Sequence, residues 1–306
     1  AEQTFSRYYA NALAAHIVAE RPAIKQVFEQ WRNSSPLPGR GAGSEVSFTS
    51  ALEKNTGLKN IVLAETPWVM NAKSDSERKE RIALLFDMER MAGEEAVALK
   101  KLRDMQLPNG AWPWWSGMRE SRYITQHIVA GFGHLEKLGA ADLRPDGQTQ
   151  AMLKSAVQWL DAEVDHDYRE LVKRTTKEDL EKYAPNSTDI HFLYARSFFP
   201  RWPIDGATST ATEFYKKRLA TTWLSHGLQE QAMIAMVLYR TGDDATGTLI
   251  MESLSQRATT NEELGMYWKG FDAGAYWYEF PTETHALMIE AYDEVVKDRA
   301  RVDALR

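Results

Sequence analysis

The chain of 306 residues contains no cysteine. That absence excludes a disulfide framework and every thiolate metal site, while leaving the compartment open. No run approaches the roughly 18 consecutive apolar residues that a membrane helix requires, and the first residues show neither a basic leader region nor an apolar one. Positive charge is in deficit, since 37 Lys and Arg stand against 43 Asp and Glu for a net charge of -6. This balance offers no field for a phosphate backbone, so nucleic acid is not an expected partner. Strand signatures are missing too, because no short segment alternates cleanly between apolar and polar residues with turn residues at both ends. There is no His-Glu-x-x-His zinc motif, no Gly-rich phosphate loop and no Gly-x-Ser-x-Gly elbow, so the common hydrolase and nucleotide signatures are absent. No cofactor and no metal is expected.

What the sequence does have is material for a core. Hydrophobic residues make up 43% and charged residues 26%, with 10 Trp, 12 Tyr and 11 Phe, a composition that excludes a disordered chain. Apolar residues recur at helical spacing almost throughout, between Pro, Gly and Asn or Asp punctuation. The pattern predicts helices over 4–20, 23–32, 76–105, 121–138, 148–164, 188–198, 210–226, 228–241, 244–258 and 282–298. The expected class is all-α, with residues 1–306 as one domain. Short connections make successive helices antiparallel, and about six such hairpins closed in a ring would form an α/α toroid; an open solenoid is the competing architecture. The Pro- and Gly-rich segment 36–43 reads as a surface loop. Exact repeats are not visible, although segments 123–129 and 283–288 enter their helices in similar ways. The opening residues already read as helix, as expected of a piece cut from a longer chain.

Several stretches, taken in order, carry a resemblance. The chain opens with Ala1-Glu2-Gln3-Thr4, and Phe5-Ser6-Arg7-Tyr8-Tyr9-Ala10-Asn11 continues the helix. Gln106-Leu107-Pro108-Asn109-Gly110-Ala111-Trp112-Pro113-Trp114-Trp115 leads to Ser121-Arg122-Tyr123-Ile124-Thr125. Late in the chain come Tyr276-Trp277-Tyr278 and Pro281-Thr282-Glu283-Thr284-His285-Ala286-Leu287. Together they resemble the thioester-containing toroid domain of bacterial alpha-2-macroglobulins. That family has Cys-x-Glu-Gln at a helix start, a Gln-x-x-x-Gly-x-Trp loop before a Tyr/Trp-Leu/Ile-Thr helix, and a late Pro-x-Glu-Thr-x-Ala-Leu helix. The tryptophan loop is the most specific of these, and the resemblance covers nearly the whole chain.

The resemblance implies a chemistry. In the family a cysteine thiolate attacks the Gln carboxamide, expels ammonia and leaves an internal thioester. Cleavage of a bait segment elsewhere in the full-length chain uncovers it, and a lysine amine of the attacking protease is acylated. Carried onto this sequence, Gln3 is the acyl donor, Glu2 the motif carboxylate and Ala1 the variable position. The cysteine is placed immediately before Ala1; the chain as given cannot form the thioester, and a parent that has lost the nucleophile is the alternative. The implied protein is a non-enzymatic trap in the periplasm or on the cell surface, with or without a lipid anchor. Its partners are proteases and the neighbouring domains of the same parent chain, with no direct membrane contact by this segment.

Three groups of residues have competing readings. Trp112, Trp114 and Trp115 read either as a hydrophobic plug or as an aromatic wall that keeps water from the thioester. Complement members of the family use a histidine to speed transfer to hydroxyls. None of His16, His127, His134, His166, His191, His226 and His285 sits in a matching setting, so amine-directed reactivity is expected. His127 and His285, just inside helix starts, read as core or hydrogen-bonded residues. The acidic run Asp161-Ala162-Glu163-Val164-Asp165-His166-Asp167 reads as a solvated helix end. A rival reading, a toroid glycoside hydrolase, would need two carboxylates about 5–9.5 Å apart in one cleft. A thioester-less scaffold or noncovalent inhibitor is a third. The sequons at Asn33 and Asn186 carry no weight.

Overall fold

A computed structural model describes residues 1–20, 88–143, 146–261, 265–269 and 281–305. The expected helix at 23–32, the start of that at 76–105, the loop at 36–43, the sequon at Asn33 and the Tyr276-Trp277-Tyr278 stretch lie outside the described residues. Among the described residues the fold is all-α. Its helices are α1 (Glu2–Glu20), α2 (Met88–Met105), α3 (Arg122–Lys137), α4 (Gly147–Arg174), α5 (Lys177–Leu180), α6 (Ser187–Ser197), α7 (Gly206–Thr222), α8 (Leu228–Arg240), α9 (Asp244–Arg257), α10 (Pro281–Ala291) and α11 (Arg299–Leu305). The described strands, β1 (Thr259–Asn261) and β2 (Gly265–Tyr267), form one antiparallel ribbon.

Side-chain caps set where most of these helices begin. Ser121, Asp146, Asn186, Asp205 and Asp243 each accept hydrogen bonds from first-turn amides of α3, α4, α6, α7 and α9, satisfying donors that the helix itself leaves open. At Asn186 the Asp189 carboxylate reaches back to the cap amide, completing a capping box. Three expectations need correction. The helix predicted to end at 164 runs on to Arg174, sustained by the Asp165–Arg169 and Glu170–Arg174 pairs one turn apart, so the acidic run lies mid-helix and not at a helix end. The segment predicted at 210–226 starts earlier, at the Asp205 cap, and closes in a 3-10 turn, Trp223–Ser225. The last predicted helix gives way at Tyr292–Val296 to a π turn, which ends where Lys297 takes a left-handed φ of 57°.

The chain gathers into two compact units. The smaller spans Gln3–Lys101 and Gly139–Ala141; the larger takes Ala1–Glu2, Leu102–Leu138 and Asp142–Arg306. In the smaller unit, Phe5, Tyr8 and Ala12 form one buried stripe on α1, and Phe5 packs its ring against both Tyr8 and Tyr9.

The larger unit is a two-layer helical packing. Helices α3, α6 and α8 are buried nearly all round: α6 over Asp189–Arg196 and α8 over Gln231–Leu238. By contrast α4 buries one stripe, Thr149, Met152, Leu153, Ala156, Val157, Leu160 and Val164, at three- and four-residue spacing. α7 and α9 do likewise. Contacts run α3 to α6, α6 to α8 and α8 to α10 in the inner layer, while α4 packs on α3 and α7, and α9 on α8. Each fully enclosed large apolar side chain contributes about 1.5–3 kcal/mol. Gly133 of α3 has no room for a Cβ, because the Phe198 ring occupies that space.

The inner helices run parallel, as the contacts at their ends show. At one end Arg122 of α3 meets Asp189 of α6, Gln126 donates to the Thr188 carbonyl at 3.1 Å, and Ser187 bonds Glu230 of α8. At the other end His134 and Lys137 of α3, Tyr194 of α6 and Arg240 of α8 meet Glu290 and Glu294. Several positive helix ends thus collect at one pole, where Asp189 and Glu230 sit in first turns, and negative ends at the opposite pole, where Lys137, Arg196 and Arg240 sit in last turns.

Candidate functional site: the tryptophan loop and the first residues

The loop between α2 and α3 is built by the motif that makes it recognisable. Gln106 Nε2 donates to the carbonyls of Gly110 and Met152, both at 2.8 Å, pinning the turn to α4. Gly110 takes φ +95°, and a Cβ there would stand 2.5 Å from the Ser155 carbonyl oxygen, so only glycine fits. Trp112 is wholly buried, its indole donating to the Leu102 carbonyl at 2.9 Å and its amide to Thr125 Oγ1 at 3.0 Å. Thr125 in turn donates to the carbonyl of Ser121, the α3 cap. The spacing of Gln106, Gly110, Trp112, Ser121 and Thr125 is therefore that of one hydrogen-bonded knot.

The knot sorts the three tryptophans. Trp112 is a core residue, whereas Trp114 and Trp115 are 40% and 65% exposed, on a segment pinched off by the bridge between Pro113 and Glu120. The exposed rings continue inward as a stack. Trp115 lies 5.9 Å from Trp114, Trp114 lies 5.6 Å from Tyr123, and Tyr123 lies 6.2 Å from His127, with interplanar angles of 30°, 20° and 19°. The buried His191 ring meets Tyr123 at 6.2 Å.

The first residues of the chain join this cluster. Ala1 is buried, and its terminal ammonium donates to the Trp114 carbonyl at 2.8 Å. Burial, then Glu283, then Glu2 push the Tyr123 phenol above its usual range. Burial lowers the His127 pKa, opposed by Glu2 and reinforced by His134. His191 is pushed down to about 3 by burial, with His127, His134 and Arg122 adding to the shift. Both rings are therefore neutral at pH 7. Gln3 is exposed in the first turn of α1.

Of the residues singled out in the sequence, the structure brings together Ala1, Glu2, Trp114, Trp115 and His127. It sets Trp112 apart as core and places His285 on the Leu305 carbonyl at 2.7 Å. Two members were missed. Glu283 was legible only as part of a motif, and His191 has a helical setting no different from that of a core residue. The acidic run does not form a site of its own: Asp161 pairs with Arg196 at 2.9 Å, Asp165 with Arg169 at 2.6 Å, and Asp167 with Arg122.

The opposite pole carries the densest charge. Arg240, only 9% exposed at its side chain, bonds Glu290 at 2.9 Å and Glu294 at 2.6 and 2.8 Å, donates to Ser197 Oγ at 2.9 Å, and lies over the Phe198 ring at 4.1 Å. Burial would push Glu290 up, but hydrogen bonds and charge from His134, Arg240 and Tyr194 hold it down at about 2. An open cavity of about 590 Å³ adjoins this cluster, with Lys137, Arg201 and Arg240 among its walls. Each of these cations is already paired with a glutamate.

Compared with protein-family models and with curated proteins, the chain matches none. Among the described residues no helix is long and apolar enough to cross a membrane, and no group of three or more His, Asp or Glu could hold a metal ion.

Proposed function

We propose that the chain is the thioester domain of a bacterial alpha-2-macroglobulin-like protease trap, with its helical hairpins closed into an α/α toroid. The observation that carries this reading is the burial of Ala1, the residue that would follow the nucleophilic cysteine, against the tryptophan loop beside the aromatic stack. The motif residues Ala1 and Glu2 and the tryptophan loop, more than a hundred residues apart in sequence, thereby share one place.

In the proposed reaction the thiolate of a cysteine directly before Ala1 attacks the side-chain carbonyl carbon of Gln3. The C–N bond breaks, ammonia leaves and a thioester remains. A protease lysine, as the free amine, then attacks the same carbon; the C–S bond breaks, the thiolate departs and an isopeptide bond forms. The setting is the periplasm or cell surface. The partners are proteases and the neighbouring domains of the parent chain.

The test is methylamine treatment of the parent protein carrying that cysteine. The proposal expects one methylamine added at Gln3 and one thiol released, both lost in Gln3→Ala. A normally matured parent showing neither would reject covalent trapping and leave the noncovalent scaffold or inhibitor.

A further inference from the structure

The sequence contains one Asn-Gly step, Asn109-Gly110, and it stands in the turn of the tryptophan loop. Glycine has no side chain to obstruct its amide nitrogen, so an asparagine before it is open to attack on its own side chain. In that reaction the Gly110 nitrogen bonds to the side-chain carbonyl carbon of Asn109, the carbon–nitrogen bond of the carboxamide breaks, and ammonia leaves with the amide proton. Water then opens the succinimide at either carbonyl, giving aspartate or isoaspartate. No other reactant is needed.

The fold exposes the site and obstructs the step. Asn109 is exposed, so water reaches its carboxamide, whereas Gly110 is buried. The Gly110 amide, which must act as the nucleophile, donates to the Leu107 carbonyl at 2.8 Å and closes a four-residue turn, while the Leu107 amide donates to the Ala111 carbonyl at 2.9 Å. Asn109 Oδ1 accepts from the Ala111 amide at 3.2 Å. Gln106 Nε2 holds the Gly110 carbonyl, and the Ser155 backbone lies so close that a Cβ on Gly110 would meet its oxygen at 2.5 Å. A succinimide nitrogen carries no proton, so ring closure forfeits the bond to Leu107. The same knot holds the buried Trp112.

We propose that Asn109 is a deamidation site gated by the tryptophan loop: the closed knot protects it, opening frees the Gly110 amide, and conversion to isoaspartate keeps the knot from closing again. Isoaspartate routes the backbone through the side chain and adds one methylene to the turn, which throws the Leu107–Ala111 and Gln106–Gly110 contacts out of register. The aspartate product keeps the backbone and an oxygen for the Ala111 amide, so it closes. The chemistry uses neither Gln3 nor a cysteine before Ala1, and stands whether or not the acyl-transfer reading does.

The experiment incubates the full chain at mildly alkaline pH beside a synthetic peptide of residues 104–114, and follows amide-to-acid conversion at Asn109 by peptide mapping. The folded chain is expected to convert at least about tenfold more slowly than the peptide, since several bonded contacts must be lost together before attack. Gln106→Ala, which releases the Gly110 and Met152 carbonyls, should raise the rate about three- to tenfold and speed hydrogen exchange at the Gly110 amide by a similar factor. If circular dichroism shows that variant unfolded, its rate should equal that of the peptide. Chains with isoaspartate at position 109 should lose slow exchange at the Trp112 indole, while Asn109→Asp chains keep it. A folded chain that converts as fast as the peptide, or a folded Gln106→Ala chain with an unchanged rate, overturns the gating. Isoaspartate chains whose Trp112 indole still exchanges slowly overturn the locked-open state.

Discussion

The two poles of the inner helical layer solve opposite problems. At the pole where α3 and α8 end, Arg240, Lys137, Glu290 and Glu294 answer one another inside the packing. At the pole where α3 begins, the charge is sparser, the histidines are neutral and indole rings stand in solvent. Buried ion pairs fix a geometry at a desolvation cost and leave little capacity for a ligand. Exposed stacked rings add little to folding and keep their faces available. The first pole is a staple and the second is an exposed aromatic surface.

This contrast is broken most forcefully at Arg240. Arg240→Ala leaves Glu290 and Glu294 inside without their counterion, and should cost about 3–5 kcal/mol in chemical denaturation. A loss below about 1 kcal/mol would show that the pole is not a staple. The same cluster sets the acid limit. The Glu290 pKa is about 2 in the folded state against an ordinary 4.5, so its contribution is complete above pH 4.5 and is lost as pH falls from there toward 2. Glu290→Gln should remove that part of the acid transition.

A second pH effect belongs to the other pole and to a different window. His191, at about 3 in the folded state against an ordinary 6.5, is neutral where the unfolded chain binds a proton. Stability is then complete above pH 6.5 and falls as pH drops through the window toward 3, with a limiting slope of about 1.4 kcal/mol per pH unit from this one group. His191→Gln should flatten the profile between pH 6.5 and 5, where Glu290 does not yet titrate. An unchanged slope would mean that His191 charges freely in the folded protein.

The smallest effect is expected at the exposed rings. Trp115→Ala should change stability by no more than about 0.5 kcal/mol, since a surface substitution removes little packing. A loss of 2 kcal/mol or more would make the ring a structural plug, which is the competing reading of the tryptophan cluster.

Much of the helical order was legible because local chemistry encodes it. Asp146, Asn186 and Asp243 are cap residues beside periodic apolar runs, and the helices start where they stand. What local pattern does not carry is pairing across sequence. The run from Asp161 to Asp167 looked solvated because its partners, Arg122 and Arg196, arrive from other helices. Arg240 meets Glu290 and Glu294 from fifty or more residues away, and nothing in either segment announces it. The tryptophan loop was recognisable as a motif while its mechanics were not. Three tryptophans in four residues read as one cluster, until the bonds of the Trp112 indole and amide separated it from Trp114 and Trp115. The seating of Ala1 on the Trp114 carbonyl, which brings the first residues to the loop, is likewise a long-range fact.

The most direct measurement of the central claim is the intact mass of the natural parent protein, followed by peptide mapping of the segment that contains Gln3. The account predicts a mass lower by one ammonia than the sequence requires, with the cysteine directly before Ala1 joined to Gln3. Full mass, with a free thiol at that cysteine and an unmodified carboxamide at Gln3 in freshly matured protein, would contradict it.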